Sequence, residues 1–506
     1  MWTMTELARL AEISGGKSVG GATITEVTSD SRAVPAGALF AAVPGLHVHG
    51  ATFAQGAVAS GAVAIATDAE GEQIITEQMS TVPPLLVVPD IAARLGEIAA
   101  EVYGNPAQSL TSFAITGTNG KTTTAFMLDD ILNKVGRTTG LIGTVAVRLA
   151  GSEIPAALTT PMPSDLQRVL ADLVSRGGTD LVMEASSHAL AQGRTDPVCF
   201  SVAGFTNLTQ DHLDFHHTLE NYFEAKASLF TPMRCEKAVI CTDDEWGLRL
   251  WHLSRTTLRP ENVYALALTS PLPDGAQGWD LAEIEERPEA TAIDLVSHAG
   301  QHLRFSTSLP GKFNVANAAL AATMAVVGGV SAAELPEAVD PKVPGRMESI
   351  SSRPRVIVDF AHNTDALAKA ITALRPTTRG RLIVVTGSAG ERDKGKRPAM
   401  GATVGRLADV GIITDDDPHD EDPGVIRAGV LSGAKGHSAQ IEEIADRRLA
   451  IREAILRAHP DDTILLAGRG HETIQEVAGQ KIELDDRVEA RRALAERDVD
   501  PEEKTA

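Results

Sequence analysis

Seven consecutive residues, Gly117-Thr118-Asn119-Gly120-Lys121-Thr122-Thr123, have the types and spacing that hold phosphate. They lie between the apolar run Phe113-Ala114-Ile115 and a helical pattern expected to begin near Ala125, in which Phe126, Leu128, Ile131, Leu132 and Val135 recur at helical spacing. A strand, a glycine-rich turn and a helix together point backbone N–H groups at phosphate oxygens. Lys121 adds a cation for the outer phosphates, and the Thr122 hydroxyl can ligate Mg²⁺. The strict pattern G-x-x-x-x-G-K-[ST] is not met, because position 115, where its first glycine would fall, is Ile. The loop is therefore a shortened form, and the chemistry it implies is binding of ATP or GTP.

Further polar residues fall just after predicted strands, where open parallel sheets bind ligands. Glu184 ends the run Leu181-Val182-Met183 and precedes Ala185-Ser186-Ser187-His188. Its carboxylate suits Mg²⁺ beside the loop, although a helix-capping or solvated glutamate fits the same pattern. His212, in Asn207-Leu208-Thr209-Gln210-Asp211-His212, is by itself more often structural; beside a glutamate and a loop threonine it can complete a metal site. Lys226, between Tyr222 and Phe230, falls in a predicted helix and reads from spacing alone as a surface lysine. In Gly390-Glu391-Arg392-Asp393-Lys394-Gly395-Lys396-Arg397-Pro398 the plain reading is a solvated loop, yet a guanidinium there can take a carboxylate bidentately. Asp415-Asp416-Asp417-Pro418-His419 places acids at a strand end, suited to an ammonium group or to solvent. Gly468-Arg469-Gly470-His471-Glu472 follows the next strand and adds a carboxylate beside glycines that allow close backbone approach.

The elements that must position these groups form three blocks, in keeping with 506 residues at about 100–200 per domain. Residues 1–108 carry Thr28-Ser29-Asp30-Ser31-Arg32, apolar runs at 38–43, 62–65 and 85–88, and an amphipathic helix from Ile91 to Tyr103 that Asn105-Pro106 ends. Residues 109–343 alternate strand and helix, implying a mostly parallel sheet covered on both faces. Within them, 270–288 reads as a loop-rich insertion or sheet edge. Residues 344–506 place strands at 356–358, 382–385, 411–413 and 463–466 with helices between, a second doubly wound α/β unit; the charged tail from Asp498 reads as frayed. Aromatic content of 4% leaves the cores to aliphatic residues, and a net charge of −21 without a Lys/Arg cluster argues against a nucleic-acid partner. Three cysteines without C-x-x-C spacing point away from disulfides and zinc and toward a reducing cytoplasm. No signal peptide is evident at the start, and no apolar stretch reaches the ~18 residues of a membrane span.

Taken together and in order, TGTNGKTTT, MEASSHAL, FTNLTQDHLDFH, FNVANA, GRME, VDFAHN, GERDKGKRP, DDDP and GRGHE resemble the ATP-dependent Mur ligases of peptidoglycan synthesis, in the branch of the UDP-MurNAc-tripeptide synthetases. The resemblance covers nearly the whole chain. It implies a UDP-binding α/β N-terminal domain, a central P-loop domain and a Rossmann-like C-terminal domain that binds an amino acid; the chain is expected to act as a monomer. Ser29, Ser31, Leu46, His47 and Val48 would contact the uridine-diphosphate end of UDP-MurNAc-L-Ala-D-Glu. Thr159, Thr160, Ser186, Gln192 and Arg194 would hold its MurNAc-dipeptide. Gly117 to Thr123, Asn317, Arg346 and Asp359 would bind ATP, and Thr122, Glu184 and His212 would hold Mg²⁺. Lys226 matches a lysine that family members carry as a carbamate, an anionic Mg²⁺ ligand. Arg392, Asp416, Asp417, His419, Gly468 and Glu472 would take a diamino acid. The implied reaction is phosphorylation of the D-Glu side-chain carboxylate, then attack of a neutral amine on the acyl phosphate.

The chain departs from the pattern at the amino-acid motif. Members that add meso-diaminopimelate typically read Asp-Asn-Pro-Arg where this chain has Asp416-Asp417-Pro418-His419. His419 cannot form the arginine's fork, and Asp417 adds a charge, so the sequence leans toward L-lysine or L-ornithine, with meso-diaminopimelate as the alternative. Folylpolyglutamate synthetases share the loop and central fold but are not expected to carry TSDSR or GERDKGKRP. A nucleotide switch without ligase chemistry would leave Lys226, Arg392 and Glu472 without a role.

Overall fold

The computed structural model describes residues 4–45, 47–154, 158–287 and 289–498. Leu46 and the tail beyond Asp498 lie outside them. Short buried apolar runs become the strands of three sheets, each with its own core. In the first, β1 (Lys17–Val19), β2 (Glu26–Thr28), β3 (Ala38–Ala41), β4 (Ala62–Thr67) and β5 (Leu85–Val87) order as β1-β5-β4-β3-β2, with β2 to β5 parallel. Helix α1 (Ile91–Val102) packs Ile91, Leu95, Ile98 and Val102 into the core of this sheet. It stops before Asn105, whose φ of 54° breaks the helix, and Pro106 follows.

The central sheet has eleven strands: β6 (Thr111–Thr116), β7 (Thr139–Ile142), β8 (Val147–Leu149), β9 (Ser152–Ile154), β10 (Asp180–Glu184), β11 (Phe200–Phe205), β12 (Cys235–Cys241), β13 (Val263–Ala267), β14 (Gln277–Glu286), β15 (Thr291–Ser297) and β16 (His302–Thr307). Their order is β9-β8-β7-β10-β6-β11-β12-β13-β14-β15-β16. The stretch from β7 through β14 is parallel, and two buried clusters cover its opposite faces. The 270–288 stretch holds β14, which extends this sheet and pairs antiparallel with β15. Helix α2 (Lys121–Lys134) follows β6 and starts four residues before the expected Ala125. Gly120, at φ 93°, is its N-cap, so Lys121 to Thr123 form the first turn and their amides belong to the phosphate loop. Helices α3 (Leu219–Ala227) and α4 (Lys312–Val327) complete the frame of the site.

The third sheet contains β17 (Glu348–Ser352), β18 (Arg355–Asp359), β19 (Leu382–Thr386), β20 (Val410–Ile413), β21 (Gln440–Glu443) and β22 (Thr463–Ala467), ordered β17-β18-β22-β19-β20-β21. All but β17 run parallel. Helix α5 (Thr364–Leu374) follows β18, and the small hairpin of β23 (Ile474–Val477) and β24 (Gln480–Glu483) follows β22. Helix α6 (Asp486–Asp498) is tied to the sheet by a fully buried ion pair: Arg447 Nε donates to Asp486 at 2.8 Å, and Arg447 Nη2 donates to the Ala467 carbonyl at 3.0 Å.

Removing one partner of such a pair strands a charge in the core. Arg447→Met is expected to destabilise the C-terminal unit by about 3–5 kcal/mol, because Asp486 remains buried without a cation. Urea unfolding, followed by hydrogen exchange of β22, checks this.

Candidate active site

Strand register assembles the site. Glu184 at the end of β10 pairs with Ile115 of β6, and Phe205 at the end of β11 pairs with Thr116. Both strands therefore deliver their trailing residues to the loop that leaves β6. Gly117 has φ 145°, and a Cβ there would sit 1.9 Å from Thr206 Oγ1; at Gly120 it would sit 2.3 Å from Asn317 Oδ1. Only glycine fits either position, so the loop can lie tightly against β11 and α4.

Glu184 is wholly buried. It accepts from Thr122 Oγ1 at 3.0 Å, Thr144 N at 2.8 Å and Thr144 Oγ1 at 3.1 Å. Thr122 Oγ1 also accepts from Arg346 Nη2 at 3.1 Å. Lys121 Nζ donates to the Gly117 and Thr118 carbonyls, both at 2.9 Å. Burial lowers the Lys121 and Arg346 pKa values, and the Glu184 charge partly restores both. Asp359, raised by burial, accepts from the Met347 and Ala361 amides and so fixes the chain beside Arg346.

His212 lines the same cavity as Thr122 and Glu184. Burial pushes its pKa down to about 3, which leaves a neutral imidazole with a lone pair free for a ligand. A threonine hydroxyl, a carboxylate and a neutral imidazole facing one cavity suit a hard divalent cation. Lys226, expected at the surface, is instead buried on α3 with Nζ donating to the Gly117 carbonyl at 2.6 Å and lying 4.4 Å from the Tyr222 ring centre. Desolvation, then the charge of Lys121, drive its pKa well down. A neutral amine is the form that reacts with CO₂, and burial shifts Lys226 toward that form, so this environment fits a carbamate. Tyr222 lies one turn earlier on the same helix face.

The cavity, about 1490 Å³, continues from the loop past Thr159, Thr160, Ser186 and Arg194 to Arg392, Asp416, Asp417, His419, Gly468 and Glu472. Thr160 Oγ1 donates to the Glu184 carbonyl at 2.8 Å, and Thr159 Oγ1 lies 3.1 Å from Thr144 Oγ1. Arg194 is oriented by Gln192, which accepts from its Nε at 2.9 Å but does not itself line the cavity. Ser29, Ser31, His47 and Val48 do not line it either. They follow the neighbouring parallel strands β2 and β3 and so sit at the same end of the first sheet.

At the far end, Asp417 is not free. Arg469, wholly buried, holds it at 2.8 Å, and it accepts from the Glu476 amide at 2.9 Å. The charge that Asp417 adds is therefore paired, although Arg469 also lies 3.6 Å from Asp416 and 3.9 Å from Glu472 and so serves three acids. His419, at φ 51°, is bridged to β23 through Glu476 O and Ala478 N. Glu472 is half-buried and raised to about 8, first by desolvation and then by the nearby Asp416 charge. Arg392 is exposed on the cavity rim and has no carboxylate partner among the described residues. Sequence reasoning gave no role to Thr144, Arg469 or Asp211, although Asp211, next to His212, and Arg469, within the Gly468–Glu472 run, carried a local signal.

Such a cavity, with a phosphate loop at one end and an acid-and-arginine cluster from a second α/β unit at the other, defines a nucleotide-dependent ligase that joins two substrates. The comparisons agree. The Mur ligase middle domain matches residues 115–325, the Mur ligase glutamate ligase domain residues 345–470, and the Mur ligase catalytic domain residues 23–103. The chain is 41% identical over 500 residues to the UDP-N-acetylmuramoyl-L-alanyl-D-glutamate--2,6-diaminopimelate ligase of Streptomyces coelicolor, covering 97% of this chain and 96% of that one. A ligase of the same name from Synechocystis sp. is 41% identical over 483 residues, covering 94% and 93%. A solved structure of a ligase with this name superposes with a TM-score of 0.64 at 30% identity, covering 98% and 99%. The chain belongs to the Mur ligase family.

Gly117→Ala forces a side chain into Thr206 and a residue other than glycine into a left-handed conformation. Strain of about 1–3 kcal/mol is expected at the loop, weakening nucleotide binding by about 5–150-fold while the circular dichroism spectrum is retained. Calorimetric titration with ADP and Mg²⁺ measures it.

Proposed function

We propose that this ligase adds a diamino acid, meso-diaminopimelate, to the D-Glu of UDP-MurNAc-L-Ala-D-Glu at the expense of ATP. The reading is carried by relatives that match over more than nine-tenths of both chains and are named for 2,6-diaminopimelate. Arg392, exposed and lining the same cavity as the acid cluster, supports it by offering a guanidinium to a second carboxylate. The lean toward L-lysine or L-ornithine finds no support in these relatives, and the Asp417–Arg469 pair weakens its charge argument. It keeps one specific observation, a histidine at position 419 where diaminopimelate-adding members carry arginine.

In this reading the Gly117–Thr123 loop and Lys121 hold the ATP phosphates, with Asn317, Arg346 and Asp359 completing the nucleotide site. Thr122, Glu184, His212 and a carbamate on Lys226 would hold Mg²⁺, which when bound neutralises charge on the transferring phosphoryl group. Ser29, Ser31, His47 and Val48 would take the uridine-diphosphate end, and Thr159, Thr160, Ser186, Gln192 and Arg194 the dipeptide. A D-Glu carboxylate oxygen attacks the γ-phosphorus; the bond to the β-phosphate oxygen breaks and ADP leaves. The neutral amine of the diamino acid then attacks the acyl carbon, the carbon–oxygen bond to phosphate breaks, and the amine gives up its proton. Asp416 and Glu472 orient an ammonium group of the incoming amino acid.

Phosphate release and product mass, with ATP, Mg²⁺ and UDP-MurNAc-L-Ala-D-Glu, are expected to show amide formation with meso-diaminopimelate. Turnover with L-lysine or L-ornithine alone would transfer the assignment to His419, and turnover with none would sink the ligase assignment. Enzyme equilibrated with ¹³C-bicarbonate is expected to give a carbamate carbon resonance that Lys226→Ala abolishes together with activity.

The elevated Glu472 pKa gives a pH dependence of known sign. The carboxylate that receives an ammonium group is populated above about pH 8. Affinity for the diamino acid should therefore rise by about tenfold per pH unit from pH 6.5 toward 8 and then level off. Glu472→Gln is expected to weaken binding and flatten this profile in calorimetric titrations.

A further inference from the structure

We propose that Asp211 is a positioning residue for the ligation: through Asn363, His362 and Lys396 it latches the C-terminal unit closed over the phosphate loop. The kinetic consequence rests on the ligase reading above; the latch itself does not.

Asp211 leaves β11 in the loop that also carries His212, and its carboxylate is almost fully buried. One oxygen accepts the His212 amide at 3.0 Å, a contact within the central unit. Among the described residues, every other hydrogen-bond or ion-pair partner comes from the C-terminal unit and from two separate segments of it. Asn363 Nδ2 donates at 3.1 Å, His362 Nε2 lies at 3.5 Å, and Lys396 Nζ lies at 3.8 Å. A carboxylate this deep loses much of its stabilisation if those partners withdraw, so opening the seam requires water to enter and replace them.

The same seam includes the phosphate loop. Asn363 Nδ2 also donates to Asn119 Oδ1 at 3.1 Å, and Asn119 Nδ2 donates to Asp365 Oδ2 at 2.9 Å. One amide thus joins a loop side chain to the buried carboxylate. Whatever orders the loop at Asn119 favours closure, and closure in turn orders the loop. On the other side of Lys121, Arg346 bonded to Thr122 forms a second contact between the units. The loop is clasped from two sides, and on the Asp211 side the clasp is a buried charge whose side-chain hydrogen-bond and ion-pair partners come from the C-terminal unit.

Two variants confined to the C-terminal unit change no residue of the loop and leave His212 in place. Asn363→Asp keeps the side-chain oxygen that caps α5 by accepting from Ala366 N at 2.9 Å, yet faces Asp211 and Asn119 Oδ1 with an acceptor in place of a donor. Lys396→Met removes the cation and keeps most of the volume. Small-angle scattering with a non-hydrolysable ATP analogue and Mg²⁺ is expected to show contraction of the wild type and a loss of that contraction in Asn363→Asp. Phosphate released per amide formed is expected to rise about tenfold in both variants, as acyl phosphate is lost to water. The exchange Asp211→Asn with Asn363→Asp, which restores a donor opposite an acceptor, should bring the ratio back toward that of the wild type. Contraction and coupling unchanged in both single variants would overturn the latch. Contraction lost in Asn363→Asp while even the wild type forms no amide would uphold the latch and overturn the ligase reading.

Discussion

The structure depends on one buried charge. Glu184 ends a strand in the interior of an eleven-stranded sheet with no solvent contact. Removing an ionised carboxylate from water costs several kcal/mol unless its oxygens are met by donors and nearby cations. Its neighbours are arranged accordingly. Thr122 reaches it from the first turn of α2, Thr144 meets it with both its amide and its hydroxyl, and Gly143 leaves room where a Cβ would lie 2.3 Å from Oε1. Lys121 and Arg346 supply positive potential, the latter from the link to the C-terminal unit. The phosphate loop, the β7–β8 turn and the domain link thus share one electrostatic centre, and that centre lies where a metal and a triphosphate would add charges of both signs.

Legibility in the sequence followed how local the cause was. The loop could be read because its function is a backbone conformation, and Gly117, Gly120 and Lys121 specify that conformation within seven residues. The parallel strands could be read because strands covered on both faces are continuous apolar runs. Strand β21 and the β23–β24 hairpin were missed for the opposite reason: they are short, polar and half-exposed at an edge. The start of α2 was placed late because Thr122, Thr123 and Thr124 lack the apolar period that marks a helix, being turned toward the loop and the core beneath it.

Misreadings arose where the partner was remote. Lys226 carries no sign of burial except Tyr222 one turn before it, and its partner, the Gly117 carbonyl, lies 109 residues away in sequence. Asp417 showed its charge but not Arg469, which reaches it from the end of β22, two strands away in the sheet. A charge counted along the chain is only a formal charge; whether a ligand experiences it depends on what topology has set beside it. The amino-acid preference was argued from two side chains, and the structure sets a cation beside one of them that the chain order did not reveal.

On the proposed reading, the division of labour between the units follows from the instability of what they make. Transfer of the phosphoryl group draws on the central unit, on Arg346 and Asp359 at the start of the C-terminal unit, and on the dipeptide end of the first substrate. The acyl phosphate so formed is open to water until an amine replaces it. The groups suited to hold the amino acid that carries it, Asp416 and Glu472, belong to the C-terminal unit and face the same cavity as the loop. Closure therefore serves the second half of the reaction more than the first, since it excludes water and delivers the nucleophile in one movement. A seam that includes the phosphate loop through Asn119 ties that movement to nucleotide occupancy, so the site that consumes the acyl phosphate is assembled where and when it is made.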